Sequence, residues 1–457
     1  MTDTAVSIAE AVRTGRISAS TSVHACLERI AAGNPKLNAF VAVHTERALA
    51  EAEAVDARVK AGEALPLAGV PVAVKDTIWV KGCRVTQGSA LFADFVAPAH
   101  AIAVERLRAA GAVVVGMANS SEFACKGVTT NRLFGPTKHP MDPRLTPGGS
   151  SGGPAVAVAA GLVPLALGTD AGGSSRRPPA HVGVVGFKPS FGAIPYGPGF
   201  AEPFTGLAVM APIARSVADA ALLFEALAGP DPRDPDSAAV LPAGADVTTP
   251  TVAYSPRFGL DTPVDDDVAA AVDRAVERLA AAGWRVVRRD PVWPAGADET
   301  ALMPLQHAGL AAIHGATFRA DPTRFDPDVG AQIERGLTLD GAAVAGALRL
   351  SGEVARALAA FLLDVDLLIG PTTPCVAWSF DRLGPETIGG VPVPPRAHAA
   401  FTPLFNHARV PAISIPCGTG RDGLPVGLQI AAARGHDRRL LAAAAAAERI
   451  LAGGSPS

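Results

Sequence analysis

The sequence predicts an α/β fold, a large mixed β-sheet flanked by helices on both sides. Three observations carry that prediction. Apolar runs of strand length alternate with segments of helical period along the 457-residue chain. Hydrophobic residues make up 49% and charged residues 18%, which supplies a sizeable core and argues against global disorder. The last apolar runs, "DLLIG", "PAISIP" and "PVGLQIA", share the character of the first ones, so they are expected in the same sheet.

From the N-terminus, residues 5–32 and 46–62 have the period of amphipathic helices. "LAGVPVAVKD" reads as a buried strand ending at Lys75 and Asp76. A helix near 100–110 leads into the strand "AVVVGMA". After the loop "FGPTKHPMDPRLTPGGSSGG" comes a helix of small residues from Pro154 to Ala160, then the strands "VPLALGTD" and "VGVVGFKP". "SVADAALLFEALAG" is a helix closed by Gly229, and residues 229–250, rich in Pro, Asp and Gly, read as a linker or loop. Beyond it come the strand "TVAYS", a helix over 265–282, the strand "WRVVRR", a helical stretch over about 299–364, the three closing strands and a helix over 437–451.

Net charge is −3 and there is no run of Lys or Arg, so a nucleic-acid or anionic-membrane partner has no electrostatic footprint. A small-molecule substrate is expected instead. Cys26, Cys83, Cys125, Cys375 and Cys417 are odd in number and widely spaced, which fits neither a disulfide framework nor a zinc site and favours a reducing compartment. The N-terminus lacks the pattern of a signal peptide, and "PAVAVAAGLVPLALG" is too short to span a bilayer, so a cytoplasmic location is expected.

Two stretches carry chemistry. In "TPGGSSGGPAVAVAAG", residues 149–153 satisfy GxSxG, yet a proline-rich loop precedes them where a nucleophile elbow requires a strand. Standing alone, GGSSGG is also the composition of a flexible loop. Pro154 suits a first helical turn, with Ser151 or Gly152 placed to cap it. The helix has no polar face and is expected to be buried, which brings its N-terminus inside beside Ser150. In "LALGTDAGGSSRRPPA", a buried strand ends at Asp170 and turns through Ala171, Gly172 and Gly173 to Ser174. Consecutive glycines let backbone N–H groups converge as an oxyanion hole requires, and each such donor contributes about 3 to 4 kcal/mol to the transition state. Ser174, at the exit of the turn, is the better presented hydroxyl.

A nucleophilic serine needs a base, and neither His139 nor His181 has an evident carboxylate partner. Lys75 is one of only 7 lysines and ends an apolar run. It can snorkel to solvent or pair with Asp76. Buried, it would have its pKa drawn from about 10.4 toward about 7, some 4 to 5 kcal/mol of disfavoured charge, and the neutral amine is a competent base.

"GVPVAVKD" (69–76), "TPGGSSGGPAVAVAAGLVPLALGTDAGGSSRRPPA" (146–180) and "VGFKPSFGAIPYG" (185–197) resemble the amidase signature family, and downstream stretches extend the likeness over most of the chain. The resemblance implies the amidase signature fold in a single domain over 1–457, with a signature core at about 65–230 and a part over 250–457 that completes the sheet and the substrate pocket. It implies a Ser–cis-Ser–Lys triad of Lys75, Ser150 (after a cis peptide bond) and Ser174 as nucleophile. The backbone N–H groups of Ala171, Gly172, Gly173 and Ser174 would form the oxyanion hole. Ser151, Asp170 and Arg176 would support the site, Arg176 by pairing with Asp170.

Malonamidase-like members of the family have an arginine where this chain has Arg177, which implies a substrate-carboxylate contact; a structural arginine is the competing expectation. Ser175 stands where the family has an apolar residue, and "PPAHV" also departs from its pattern. "FTPLFNHARVP" offers Phe401, Phe405 and Asn406 as pocket walls, although core packing explains the aromatics equally well.

The expected activity is hydrolysis of a small carboxamide through an acyl-enzyme, with no metal and no cofactor, in a chain that can form a homodimer. The alternatives are a glutamine-hydrolysing subunit of a tRNA-dependent amidotransferase, an esterase using the same site, and a non-enzymatic binding module.

Overall fold

The computed structural model describes residues 4–204, 206–239 and 250–453. Its first elements are α1 (Ala5–Arg13), α2 (Ala19–Leu37), β1 (Phe40–Val43) and α3 (Thr45–Lys60). The single helix that periodicity predicts over 5–32 is therefore two. The chain turns at Gly15, whose φ of +71° suits glycine, and the Ser18 hydroxyl caps α2 by accepting the Thr21 N–H at 2.9 Å. The next elements are β2 (Pro71–Lys75), α4 (Ile102–Ala109), β3 (Val113–Ala118), α5 (Gly152–Ala159), β4 (Leu165–Asp170), α6 (Arg177–Val182), β5 (Val185–Lys188), β6 (Val209–Ala214) and α7 (Val217–Leu227). Of the expected linker over 229–250, residues 240–249 lie outside the described residues, and Pro235–Ala239 form a short 3-10 turn.

The second half contains β7 (Thr251–Tyr254), α8 (Asp266–Ala281) and β8 (Arg285–Arg288). The helical stretch expected over 299–364 is three helices, α9 (Glu299–Ala320), α10 (Pro327–Thr338) and α11 (Gly341–Phe361). Pro322 and Pro327 interrupt it first, and Asp340 then caps α11 by accepting the Ala343 N–H at 2.8 Å. The chain closes with β9 (Leu367–Pro371), the hairpin β10 (Thr387–Ile388) and β11 (Val391–Pro392), α12 (Pro403–His407), β12 (Ala412–Thr419), β13 (Pro425–Ala431) and α13 (Asp437–Leu451).

Eleven strands form one mixed sheet in the order β1-β3-β2-β4-β6-β5-β12-β13-β9-β7-β8, flanked by helices. Four neighbouring pairs are parallel and six antiparallel. The closing strands join the first ones where β12 pairs with β5. Two strands are illegible in the sequence pattern: β1 is four residues long, and Pro212 sits inside β6, between β4 and β5 in the sheet.

The site depends on the parallel pairing of β2 with β4, in which Val74 stands opposite Leu167. Both strands are buried throughout, so Lys75 ends one of them and Thr169–Asp170 the other, side by side at the same edge of the sheet. Helix α5 is buried from Gly152 to Val158, as its small apolar residues predict, and its N-terminus delivers the Ser150–Ser151 pair to that edge.

Candidate active site

Lys75, Ser150 and Ser174 meet inside the protein. The Lys75 Nζ lies 2.8 Å from Ser150 Oγ and 2.9 Å from Thr169 Oγ1, and Ser150 Oγ lies 2.9 Å from Ser174 Oγ. The Ser150 backbone N–H, part of the cis Gly149–Ser150 peptide bond, also donates to Ser174 Oγ at 3.1 Å. Lys75 and Ser150 are fully buried, while Ser174 keeps 7% of its surface exposed. Burial draws the Lys75 pKa from 10.5 down to about 7, outweighing the attraction of the nearby Asp170 carboxylate.

Asp76 does not pair with Lys75; its carboxylate is held by the Thr86 N–H and hydroxyl. Lys188 shows that burial alone does not make a base. It is equally buried and also held at about 7, yet its Nζ donates to the Pro189 carbonyl at 2.9 Å. His181 is pushed to about 3 by burial, His139 and Arg177, so it stays neutral without a carboxylate to orient it.

The turn after β4 is organised around Asp170. Its carboxylate accepts the Gly173 N–H (2.7 Å), the Ser175 N–H (3.1 Å) and the Ser175 hydroxyl (2.8 Å). Arg176 grips it with Nε and Nη2, each at 3.0 Å, and also donates to Thr402 O, Gln429 Oε1 and Asn406 Oδ1. Burial disfavours the Asp170 charge, but Arg176, Lys188 and Asn406 outweigh it and hold the carboxyl well below the usual range. Gly173, at φ +115°, lies so close to Thr402 that a Cβ would sit 2.6 Å from the threonine Cβ. Only glycine fits there.

The sequence of this chain matches the profile of the Amidase family over residues 21–441. The chain belongs to the amidase signature family. It is 39% identical over 470 residues to a protein named as a subunit of glutamyl-tRNA(Gln) amidotransferase from Anaeromyxobacter sp. (strain K), covering 95% of this chain and 93% of that one. Among solved structures it is similar to a bacterial aryl acylamidase of the family (TM-score 0.90, 28% identity, 98% and 96% coverage). It is also similar to the corresponding glutamyl-tRNA(Gln) amidotransferase subunit of Thermotoga maritima (TM-score 0.70, 27% identity, 94% and 91% coverage).

Within this amidase signature chain, several expected roles change. Ser151 occupies the N-cap position of α5, but its hydroxyl donates to Thr169 O at 3.2 Å. The capping acceptor is Thr129 Oγ1, which receives the Gly152 N–H at 2.9 Å from a distant loop. The Gly173 N–H is donated to Asp170, which removes it from the expected oxyanion set of Ala171, Gly172, Gly173 and Ser174. Ser175 braces the turn through Asp170 and is fully buried. Phe401 and Phe405 pack against Phe258 in the core, and Asn406 holds Asp170 at 2.9 Å, so none of the three is a pocket wall by that packing. Thr169 and Gln429 carried no sequence signal, because they act through contacts made by strands distant in the chain.

Two cavities adjoin the 123–127 segment. The smaller leaves about 30 Å³ for the centres of water-sized molecules and is lined by Ser150, Thr169, Ala171 and Ser174, with Phe123 and Ala124 from that segment. The larger, about 670 Å³ on the same measure, takes Cys125, Lys126 and Gly127 from it, together with His307, Gln332 and Ala400. Arg177 lines neither. By residue 177 the chain has entered α6, and its buried side chain brings Nη2 to 3.4 Å from Gly149 O. Among the described residues no group of three or more His, Cys, Asp or Glu is placed to hold a metal ion, and no helix is long and apolar enough to cross a membrane.

Proposed function

We propose that this chain is an amidase that hydrolyses a small carboxamide to a carboxylic acid and an amine or ammonia, without a metal. The observation that carries it is the unbroken, buried chain of contacts from Lys75 through Ser150 to Ser174. Neutral Lys75 takes the Ser150 proton as Ser150 takes that of Ser174, whose Oγ attacks the amide carbonyl. A hydroxyl both donates and accepts, so the same 2.8 and 2.9 Å contacts serve with their protons reversed. The N–H groups of Ala171, Gly172 and Ser174 receive the oxyanion, while Gly173 acts through Asp170 to fix the turn. The adduct collapses as the C–N bond breaks and the leaving nitrogen takes the proton back through Ser150. Water then attacks the acyl carbon, the Ser174 Oγ–C bond breaks, and one water proton restores the hydroxyl.

Ammonia or amine release from a panel of amides, assayed in EDTA, tests this. Wild type is expected to turn over at least one amide and Ser174→Ala to lose at least about a thousandfold in kcat. Full activity in Ser174→Ala, or loss in EDTA restored by a metal, would contradict it.

The glutaminase-subunit alternative is favoured by the names of the curated relatives. Against it, the backbone is closer to the aryl acylamidase than to the Thermotoga maritima protein, with TM-scores of 0.90 and 0.70.

A further inference from the structure

Of the three reacting side chains, two have supports already described. Lys75 ends the buried strand β2, and Ser174 sits on the turn that Asp170 and Arg176 hold. Ser150 lies between a proline-containing loop and the first turn of α5. Its backbone is gripped from a third segment, residues 126–129.

Thr129 makes the grip. Its Oγ1 donates to Gly148 O at 2.8 Å and accepts the Gly152 N–H at 2.9 Å, with Ser150 O at 3.3 Å. A hydroxyl has one proton to give, and the shorter contact to Gly148 O takes it. One side-chain atom thus ties the residue two before Ser150 to the residue two after it. The contact is also close. A Cβ at Gly152 would lie 2.8 Å from the Thr129 Cβ, and one at Gly149 would lie 2.7 Å from the Val128 carbonyl carbon. Glycines at 149 and 152 therefore let the two backbones lie against each other.

The gripping segment is itself anchored. Thr129 O accepts the Thr137 N–H at 2.9 Å, and Val128 packs in a buried cluster with Cys375, Trp378 and Ile388. Thr129 is 1% exposed and lines neither cavity, so it has no access to a substrate. Among the described residues it makes no hydrogen bond to the turn over 170–176.

We propose that Thr129 is a positioning residue for catalysis, whose hydroxyl holds Ser150 at relay distance from both Lys75 and Ser174. This rests on the amidase function proposed above. The relay moves protons across contacts of 2.8 and 2.9 Å. A displacement of about 1 Å at such a site costs about a hundredfold in rate. Loss of the Thr129 hydroxyl disables the step through Ser150 and leaves Ser174 and its turn on their own supports.

The test uses the full chain, an amide that wild type turns over, and the p-nitrophenyl ester of the same acid for slow variants. Thr129→Val keeps the side-chain shape and removes both bonds. It is expected to lower kcat for the amide about a hundredfold with KM changed less than about threefold, while Thr129→Ser stays within about fivefold of wild type. Ser150→Ala has no relay left to position. Adding Thr129→Val to it is therefore expected to lower the ester rate less than about threefold, whereas a merely structural role would cost the same factor in either background. If Thr129→Val does not fold, Thr129→Cys takes its place. Its weaker S–H bonds are expected to cost about tenfold in kcat in the wild-type background and less than about threefold in Ser150→Ala. A kcat within about threefold of wild type in the variant tested, equal losses in the two backgrounds, or Thr129→Ser as slow as that variant would overturn the proposal and leave the amidase function standing. No hydrolysis of any amide or ester by wild type would overturn the amidase function, and this proposal with it.

Discussion

If Lys75 is the base, its protonation sets the acid limb of the activity profile. Its pKa of about 7 in the fold means that half the molecules hold the neutral amine at that pH and about one in a hundred at pH 5. The kcat/KM for an amide, which reports the free enzyme, is expected to rise about a hundredfold from pH 5 to its plateau, with the slope of one proton and a midpoint near 7. The same shift acts on stability with a definite sign. Lowering a lysine from 10.5 to about 7, at about 1.4 kcal/mol per unit, costs the fold about 5 kcal/mol below pH 7. Between pH 7 and about 10.4 the unfolded chain binds the proton that the fold has shed, so this cost falls away as pH rises. Lys75→Met has no such proton. Its stability in urea relative to wild type is expected to be most favourable at and below pH 7 and to decline by about 4 kcal/mol from pH 7 to pH 10. A profile flat from pH 5 to 8 would mean that Lys75 is not a base titrating near 7, and a stability difference independent of pH that it keeps its charge in the fold.

Two further predictions concern the turn that presents Ser174. Arg176→Met leaves the Asp170 carboxylate buried without its cation and is expected to cost about 3 to 5 kcal/mol in urea unfolding; a change under 1 kcal/mol would show that the pair does not hold the turn. Gly173→Ala forces a Cβ against Thr402 at a φ of +115° and is expected to lower kcat by about a hundredfold or more, which retained wild-type kcat would contradict.

Most of the sheet was legible in local pattern, and the family resemblance grouped Lys75, Ser150 and Ser174, which the fold brings together. All-apolar strands ended at Lys75 and Asp170, and glycines stood where a turn needs them. What escaped depends on contacts between distant segments. Thr129, not Ser151, caps α5, because the loop over 129–148 folds back on its N-terminus. Gly173 turned its N–H to Asp170, a bond that sequence spacing permits but does not require. Arg177 met Gly149 O because α6 had already begun.

Covalent labelling by a serine-directed fluorophosphonate, followed by peptide mass spectrometry, asks directly which hydroxyl the buried amine activates. A single adduct on Ser174, forming faster as pH rises through about 7, is the expected result. An adduct on Ser150, Ser151 or Ser175, or labelling of Ser174 at one rate from pH 5 to 9, would contradict it.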